Sequence, residues 1–201
     1  EYRRQRQMCI RDRTLNPSTA ELIDAVDHVN AQQVIILPNN KNIIPVANQV
    51  DALSGKTVRV VPTTSMPAAL AALVVYDPEE SAEHNMEQMT AALETVATGE
   101  VTQAVRDTNS DAGPITTGDW IGIVRGDGIV SIAGTVVTAA TGLLEHLIEP
   151  GRELITVLEG TDATAALTDQ IRAWVSDNHP GVDFEVHQGG QPLYPYLFGV
   201  E

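Results

Sequence analysis

The sequence predicts an α/β fold, with strand–helix alternation and a mostly parallel sheet in its first half and a mixed α+β second half. Three observations carry this. Residues 34–37 and 58–61 are short unbroken apolar runs rich in β-branched side chains, the pattern of parallel strands covered on both faces. The stretch between them has helical spacing, with Ile43, Val46, Ala47, Val50 and Leu53 on one side. Beyond Gly99 the pattern shifts from alternation toward strands and hairpins.

The elements come in order. A first helix begins at Ser18 as N-cap, with Glu21 as its capping-box partner and Leu22, Ile23, Val26 and Val29 on one face, and ends near Asn30. The strand 34–37 stops at Pro38. The next helix takes Asn42 as N-cap, Pro45 in its first turn and Gly55 as stop. The strand 58–61 stops at Pro62, completing a βαβ unit. An Ala- and Leu-rich helix over 66–76 comes next, capped by Ser65 with Pro67 in its first turn; its lack of polar residues predicts burial on most sides. Asp77, Pro78 and Glu80 are expected to start a further helix with a stripe of Met86, Met89, Leu93 and Val96, ended by Gly99. A half-buried strand is expected over 100–107, then a loop over 109–118. The segments 120–124 and 129–132 flank Arg125, Gly126, Asp127 and Gly128 as a hairpin. A helix over about 135–148, a turn at Pro150 and Gly151, and a strand 154–158 come after it. Thr161 or Asp162 is expected to cap a helix carrying Leu167, Ile171, Trp174 and Val175; a strand 183–187 and a terminal strand close the chain. The expected organisation is a foreign or disordered segment 1–13, a βαβ-type α/β subdomain 14–98 and a mixed α/β subdomain 99–201.

Composition narrows the function. With 43% hydrophobic and 19% charged residues, the chain has the makings of a globular core. Twelve basic against 27 acidic residues give a net charge of −15, which argues against nucleic acid or anionic membrane and for a basic protein surface as partner. Five of the basic residues and the single cysteine, Cys9, lie in residues 1–13; without that segment the balance is −18. One cysteine excludes an internal disulfide. No apolar stretch has the length of a bilayer span, and no signal-peptide pattern is present, so a cytoplasmic location is expected.

Familiar catalytic signatures are missing. The histidines at 28, 84, 146, 179 and 187 show no paired metal spacing, and there is no phosphate-cradling glycine motif and no G-x-S-x-G elbow. Arg125-Gly126-Asp127 spells an adhesion tripeptide and Gly189-Gly190-Gln191 the tip of peptide release factors; a hairpin turn and a close approach of two backbones explain them. In βαβ units ligands and partners are met outside the carboxyl ends of the strands. That rule singles out Asn39, Asn40, Lys41 and Asn42 together with Thr63, Thr64 and Ser65, joined by Asn16 and Ser18 at the start of the first helix. Apart from Lys41 these are uncharged hydrogen-bonding groups, suited to a carboxylate or phosphate oxygen or to a partner's backbone and poor at bond-breaking chemistry. The rim reads either as Asx-capped turns or as a binding surface.

The strings TLNPSTAELIDAV, VIILPNNKNII, VVPTTSMPAALAAL, VTQAVRDT and EVHQGGQPLYPYLFGVE resemble, in order and spacing, the C-terminal region of the A-type subunit of bacterial fatty acid kinase, a DAK2-type, dihydroxyacetone-kinase-like and YloV-type family. The resemblance covers residues 14–201. It implies a parent protein whose N-terminal domain holds ATP and magnesium, with this region engaging a separate DegV-like acyl-binding subunit so that a bound fatty acid becomes an acyl phosphate for phospholipid synthesis. Thr14 to Thr19 match the end of the family's G-G-Q-T-x-N-P-S-T string, which implies that the kinase domain lies outside this sequence and that the fragment alone has no phosphoryl transfer activity and no cofactor. The TLNPS start is also similar to the T-S-Q-P-S lipid segment of DegV-like proteins, with Leu15 for its Ser and Asn16 for its Gln. That likeness implies a related α/β fold. QMCIRDR resembles a translated sequencing-adapter read-through, which is why residues 1–13 are set apart. The expected partners are thus the DegV-like subunit and the rest of the kinase chain; the alternative is a small-anion or lipid-binding sensor or carrier.

Overall fold

The computed structural model describes residues 16–201, so the expectation for 1–13 lies outside the described residues. The chain divides into two compact units, with the boundary between Glu94 and Thr95.

In the first unit, strands β1 (Gln33–Ile36) and β2 (Thr57–Val60) pair in parallel, Val34 opposite Val58 and Ile36 opposite Val60. Helix α1 (Thr19–His28) and the short helices α2 (Ile44–Ala47) and α3 (Val50–Leu53) cover one face, gathering Leu22, Val26, Ile43, Ala47 and Val50 around Val58 of β2. Helices α4 (Met66–Val74) and α5 (Ala82–Ala92) cover the other, with Ile35 and Leu37 packed against Val61, Ala72 and Met89. Unbroken apolar runs are the pattern such a two-sided setting demands.

Several local expectations are corrected. The helix after β1 is broken into α2 and α3, because Gln49 N–H turns to the Val46 carbonyl three residues back. Asn42 does not cap it: the residue before α2 is Ile43, with no side-chain cap, and Asn42 N–H instead donates to Asn40 Oδ1 at 2.9 Å. Gly55 is not a left-handed stop, since Ser54 already leaves α3 extended. Asp77 and Glu80 form a turn ahead of α5, whose cap is Ser81. The α4 helix is capped by Ser65 as expected, yet Leu70, Leu73, Val74 and Val75 are exposed, so burial on most sides does not hold.

The second unit is built on a six-stranded sheet ordered β7-β6-β3-β10-β8-β9. Its strands are β3 (Ala97–Gln103), β6 (Trp120–Val124), β7 (Gly128–Ala133), β8 (Leu154–Glu159), β9 (Asp183–Gln188) and β10 (Tyr196–Val200). All neighbours run antiparallel except β8 and β9, which are joined through helix α7 (Ala165–Asn178). The β6–β7 hairpin turns on Gly126 and Gly128, both at positive φ; Asp127 between them, also expected to supply a positive φ, does not take one. The expected loop 109–118 holds a small hairpin, β4 (Thr108–Ser110) and β5 (Gly113–Ile115). Thr164, rather than Thr161 or Asp162, caps α7 and accepts from Leu167 N–H.

Helix α6 (Val136–Leu147) supplies the core of this unit, burying Val136, Ala139, Ala140, Leu143, Leu144 and Leu147. Gly99, expected to end a helix, sits inside β3. A Cβ there would come within 2.9 Å of Leu143 Cδ1, and one on Gly122 within 2.8 Å of Leu143 Cβ. Both glycines let α6 settle on the sheet. The opposite face of β6 and β7 gathers Ile121, Ile123, Ile129 and Ile132 with Ala104 and Ile115.

The seating of α6 on the sheet is open to test. Gly122→Val improves strand propensity but overpacks against Leu143, Ala139 and Ser131; it is expected to destabilise this unit by about 1–3 kcal/mol, read by urea unfolding through Trp120 and Trp174. An unchanged midpoint would show that α6 is not closely seated. A second prediction concerns Glu100, whose carboxyl burial raises above its ordinary value against the opposing pull of Arg125, 3.4 Å away. A raised folded-state pKa favours folding most while the group is protonated, so that contribution is complete below the unfolded-state pKa and is lost as pH rises through the folded-state pKa. Wild type should therefore lose stability relative to Glu100→Gln as pH rises through that window, and Arg125→Ala should enlarge the loss. Urea midpoints that stay parallel across the acid range would refute it.

Candidate functional site

The parallel pairing of β1 and β2 brings both strands out at the same end of the sheet, and the two loops beyond them form the rim. Thr63 is the pin of that rim. Fully buried, its Oγ1 accepts from Asn39 N–H at 3.1 Å and donates to Asn39 Oδ1 at 2.7 Å. Asn39 takes the left-handed conformation, φ 56°, which asparagine tolerates better than most residues. Asn40 Oδ1 accepts from Asn42 N–H, and Asn40 O accepts from Ile43 N–H at 3.0 Å, an Asx turn that carries the chain into α2. The rim is thus cross-linked by the chain's own hydrogen bonds.

The other candidate residues divide by role. Ser65 is nearly buried and its Oγ accepts from Ala68 N–H, capping α4. Ser18 and Glu21 close a full capping box: Ser18 N–H and Oγ both donate to Glu21 Oε2 at 2.8 Å, and Glu21 N–H donates back to Ser18 Oγ. That hydroxyl is committed to its own helix, and the start of α1 already carries a carboxylate. Thr19 Oγ1 reaches Gln49 Oε1 at 3.4 Å, tying α1 to the corner between α2 and α3. Asn16 is exposed ahead of α1, and Thr64 is half-buried beside the pin. Lys41 and Asn42 are exposed. Thr14 and Leu15 lie outside the described residues.

Electrostatics set Lys41 apart. The described part of the first unit has three Lys or Arg side chains. Lys56 Nζ donates to the carbonyls of Val26, Asp27 and Val29, closing the end of α1. Arg59 pairs with Asp51 and Glu83. Lys41 has no ion pair among the described residues. The rim therefore offers one unpaired cation among fixed amides and hydroxyls, a set that binds anions or backbone and has no nucleophile or acid–base pair. Among the described residues no group of three or more His, Cys, Asp or Glu side chains is gathered for a metal ion, and no helix is long and apolar enough to cross a membrane.

A second polar cluster, at the carboxyl ends of β8 and β9, was missed by motif reading. The buried Glu159 carboxylate accepts from Thr168 Oγ1 and Gln188 Nε2, and Thr168 Oγ1 lies 3.0 Å from the Tyr196 hydroxyl. Glu159 O accepts from both Gly189 and Gly190 N–H at 2.9 Å, while Gln191 Nε2 donates to the carbonyls of Leu158 and Tyr194. A Cβ on Gly160 would collide with the Tyr194 carbonyl oxygen, so here two backbones do run in close approach. The signal was present as a glutamate ending one apolar strand and a glutamine ending the next. The cluster holds the loop that feeds β10.

Comparison with known proteins agrees with this architecture. The family model for the C-terminal part of FakA-like fatty acid kinase subunits matches residues 5–201. An uncharacterised protein of Staphylococcus haemolyticus is 42% identical and Protein YloV of Bacillus subtilis 39% identical, each over 188 residues and 94% of this chain. The chain spans 34% of the length of each of these relatives. Among solved structures, a DegV family protein of Corynebacterium glutamicum superposes with TM-score 0.63 at 16% identity, over 92% of this chain and 82% of that one. The Streptococcus pneumoniae Fatty Acid Kinase B3 protein, loaded with linoleic acid, gives 0.62 at 12% identity over 92% and 76%. The dihydroxyacetone kinase of C. freundii, in complex with AMP-PNP and Mg2+, gives 0.61 at 13% over 92% and 41%. At these identities the structural likenesses establish the fold alone. The family match over nearly the whole chain, with relatives near 40% identity, places this chain in the FakA-like C-terminal family of fatty acid kinase subunits.

Proposed function

We propose that this chain is the module of a fatty acid kinase subunit that docks a DegV-like acyl-binding subunit, so that the bound fatty acid can be phosphorylated to an acyl phosphate by an ATP- and magnesium-holding domain elsewhere in the longer protein. The observation that carries the reading is the family match across residues 5–201, in a chain that spans about a third of its relatives. The site chemistry is consistent with it. The rim offers fixed amides, hydroxyls and Lys41, which can bind and orient a partner. Holding a carboxylate in reach of a phosphoryl group can supply a large part of a barrier without a catalytic side chain in the module. On this reading the chain alone transfers no phosphate, works in the cytoplasm and serves phospholipid synthesis.

Lys41 favours a second reading. An unpaired cation on a rigid polar rim also suits a sensor for a small anion or a lipid carboxylate, which would change the kinase's output. The two readings separate cleanly. Docking predicts saturable calorimetric binding of the chain to the acyl-binding subunit of the same genome, weakening between low and moderate salt, and several-fold weaker for Lys41→Ala. The sensor predicts a rise in melting temperature with phosphate or a fatty acid alone. Flat heats from a folded sample at both salts would sink docking by this module.

A further inference from the structure

The exposed face of α4 carries chemistry that the polar rim does not. Leu70, Leu73 and Val74 stand at i, i+3 and i+4, with relative exposures of 38%, 39% and 85%. The alanines of the same helix face inward: Ala68, Ala69, Ala71 and Ala72 are buried. Large apolar side chains therefore lie outside and small ones inside, the reverse of what an isolated amphipathic helix would choose. The surroundings are acidic. From Val60 to Glu94 there is no Lys or Arg, while Asp77, Glu79 and Glu80 come directly after α4 and Glu83 and Glu87 lie on the adjoining α5. Of these, only Glu83 meets a described cation, Arg59.

We propose that Leu70, Leu73 and Val74 are the apolar anchor of the docking surface, and that the partner covers them with an apolar strip flanked by Lys or Arg side chains. The inference rests on the docking reading above and extends it from the rim to α4. Charge decides between occupants. A second copy would bring the same carboxylates face to face across a two-fold axis, and an anionic lipid surface would be repelled by them. A basic protein surface is attracted and steered. Distance fits as well. The helix starts at Ser65 on the rim, and at about 1.5 Å per residue Val74 lies roughly 13 Å farther along, inside the footprint of about 800 Å² that one partner of an ordinary interface covers.

The test is calorimetric titration of the whole 201-residue chain with the acyl-binding subunit of the same genome, comparing wild type, Leu73→Ser/Val74→Ser and Glu79→Lys/Glu80→Lys. The substituted side chains are exposed, so circular dichroism and melting temperature should match wild type. The expected result is at least tenfold weaker binding for the serine pair at any salt, and weaker binding for the lysine pair that approaches wild type as salt rises. Serine-pair affinity within twofold of wild type overturns the anchor while leaving docking intact. No binding by wild type removes the docking reading and the anchor with it. A concentration-dependent dimer of the wild-type chain in sedimentation, lost in the serine pair, makes the occupant a second copy and also overturns the proposal.

Discussion

The second unit depends on where its last strand goes. β10 lies in the middle of the sheet, between β3 and β8, and all five of its residues are buried. Phe198 stands opposite Gly99 on one side and Val157 on the other. Because β10 runs against both neighbours, β3 and β8 point the same way, and β9 joins them by pairing parallel to β8. The loop entering β10 is therefore under tight constraint, and the cluster around Glu159 supplies it. A buried carboxylate is tolerable only where its oxygens are satisfied. Thr168 and Gln188 provide those donors, and the Glu159 carbonyl takes two more N–H groups from the glycine pair. Gly160 has to be a glycine for the same reason, since the 191–194 backbone presses on it.

The first unit works by a smaller version of the same economy of polar groups. Its sheet has only two strands, so order at the rim cannot come from sheet width. It comes from Thr63, buried and bonded twice to Asn39, and from helix caps that use up the hydroxyls of Ser18 and Ser65. Loops fixed in this way would lose little further freedom if a partner bound there, which would reduce the entropic cost of association. The rim keeps available Lys41 and the exposed face of its asparagines. A rigid polar frame with one unpaired cation is better suited to setting orientation than to generating affinity.

Much of this was legible in the sequence wherever the signal is local. The apolar runs around Val34 and Val58 identified strands covered on both sides, the Ser18–Glu21 spacing identified a capping box, and the glycines near Asp127 identified a hairpin. The rim residues were legible by topology alone, as the loops that leave two parallel strands. Errors arose where one residue type serves two geometries. Asn42 looked like a cap but is held by Asn40; Asp77 and Pro78 looked like a helix start but make a turn; Gly99 looked like a helix stop but is a strand residue that Leu143 requires to be small. The central position of β10 was not legible. Non-local pairing leaves no period in a sequence, and a strand next to the terminus gives no hint that it lies at the centre.

The α4 helix shows the limit of composition as a guide to burial. Its near-total lack of polar side chains suggested a helix enclosed on most sides, and half of that holds, through the alanines. The branched residues point outward, where a free-standing domain has little reason to keep them. The charged residues that come after α4 in the chain, Asp77, Glu79 and Glu80, are all acidic, and their charges repel one another while the surface is bare. Both features are unfavourable in isolation, and both are relieved by one kind of covering surface, apolar in the middle and basic at its border. Under the docking proposal, the polar rim and the apolar stripe would divide the work of recognition: the first would fix how a partner sits, and the second, by excluding water from Leu73 and Val74, would set how tightly it is held.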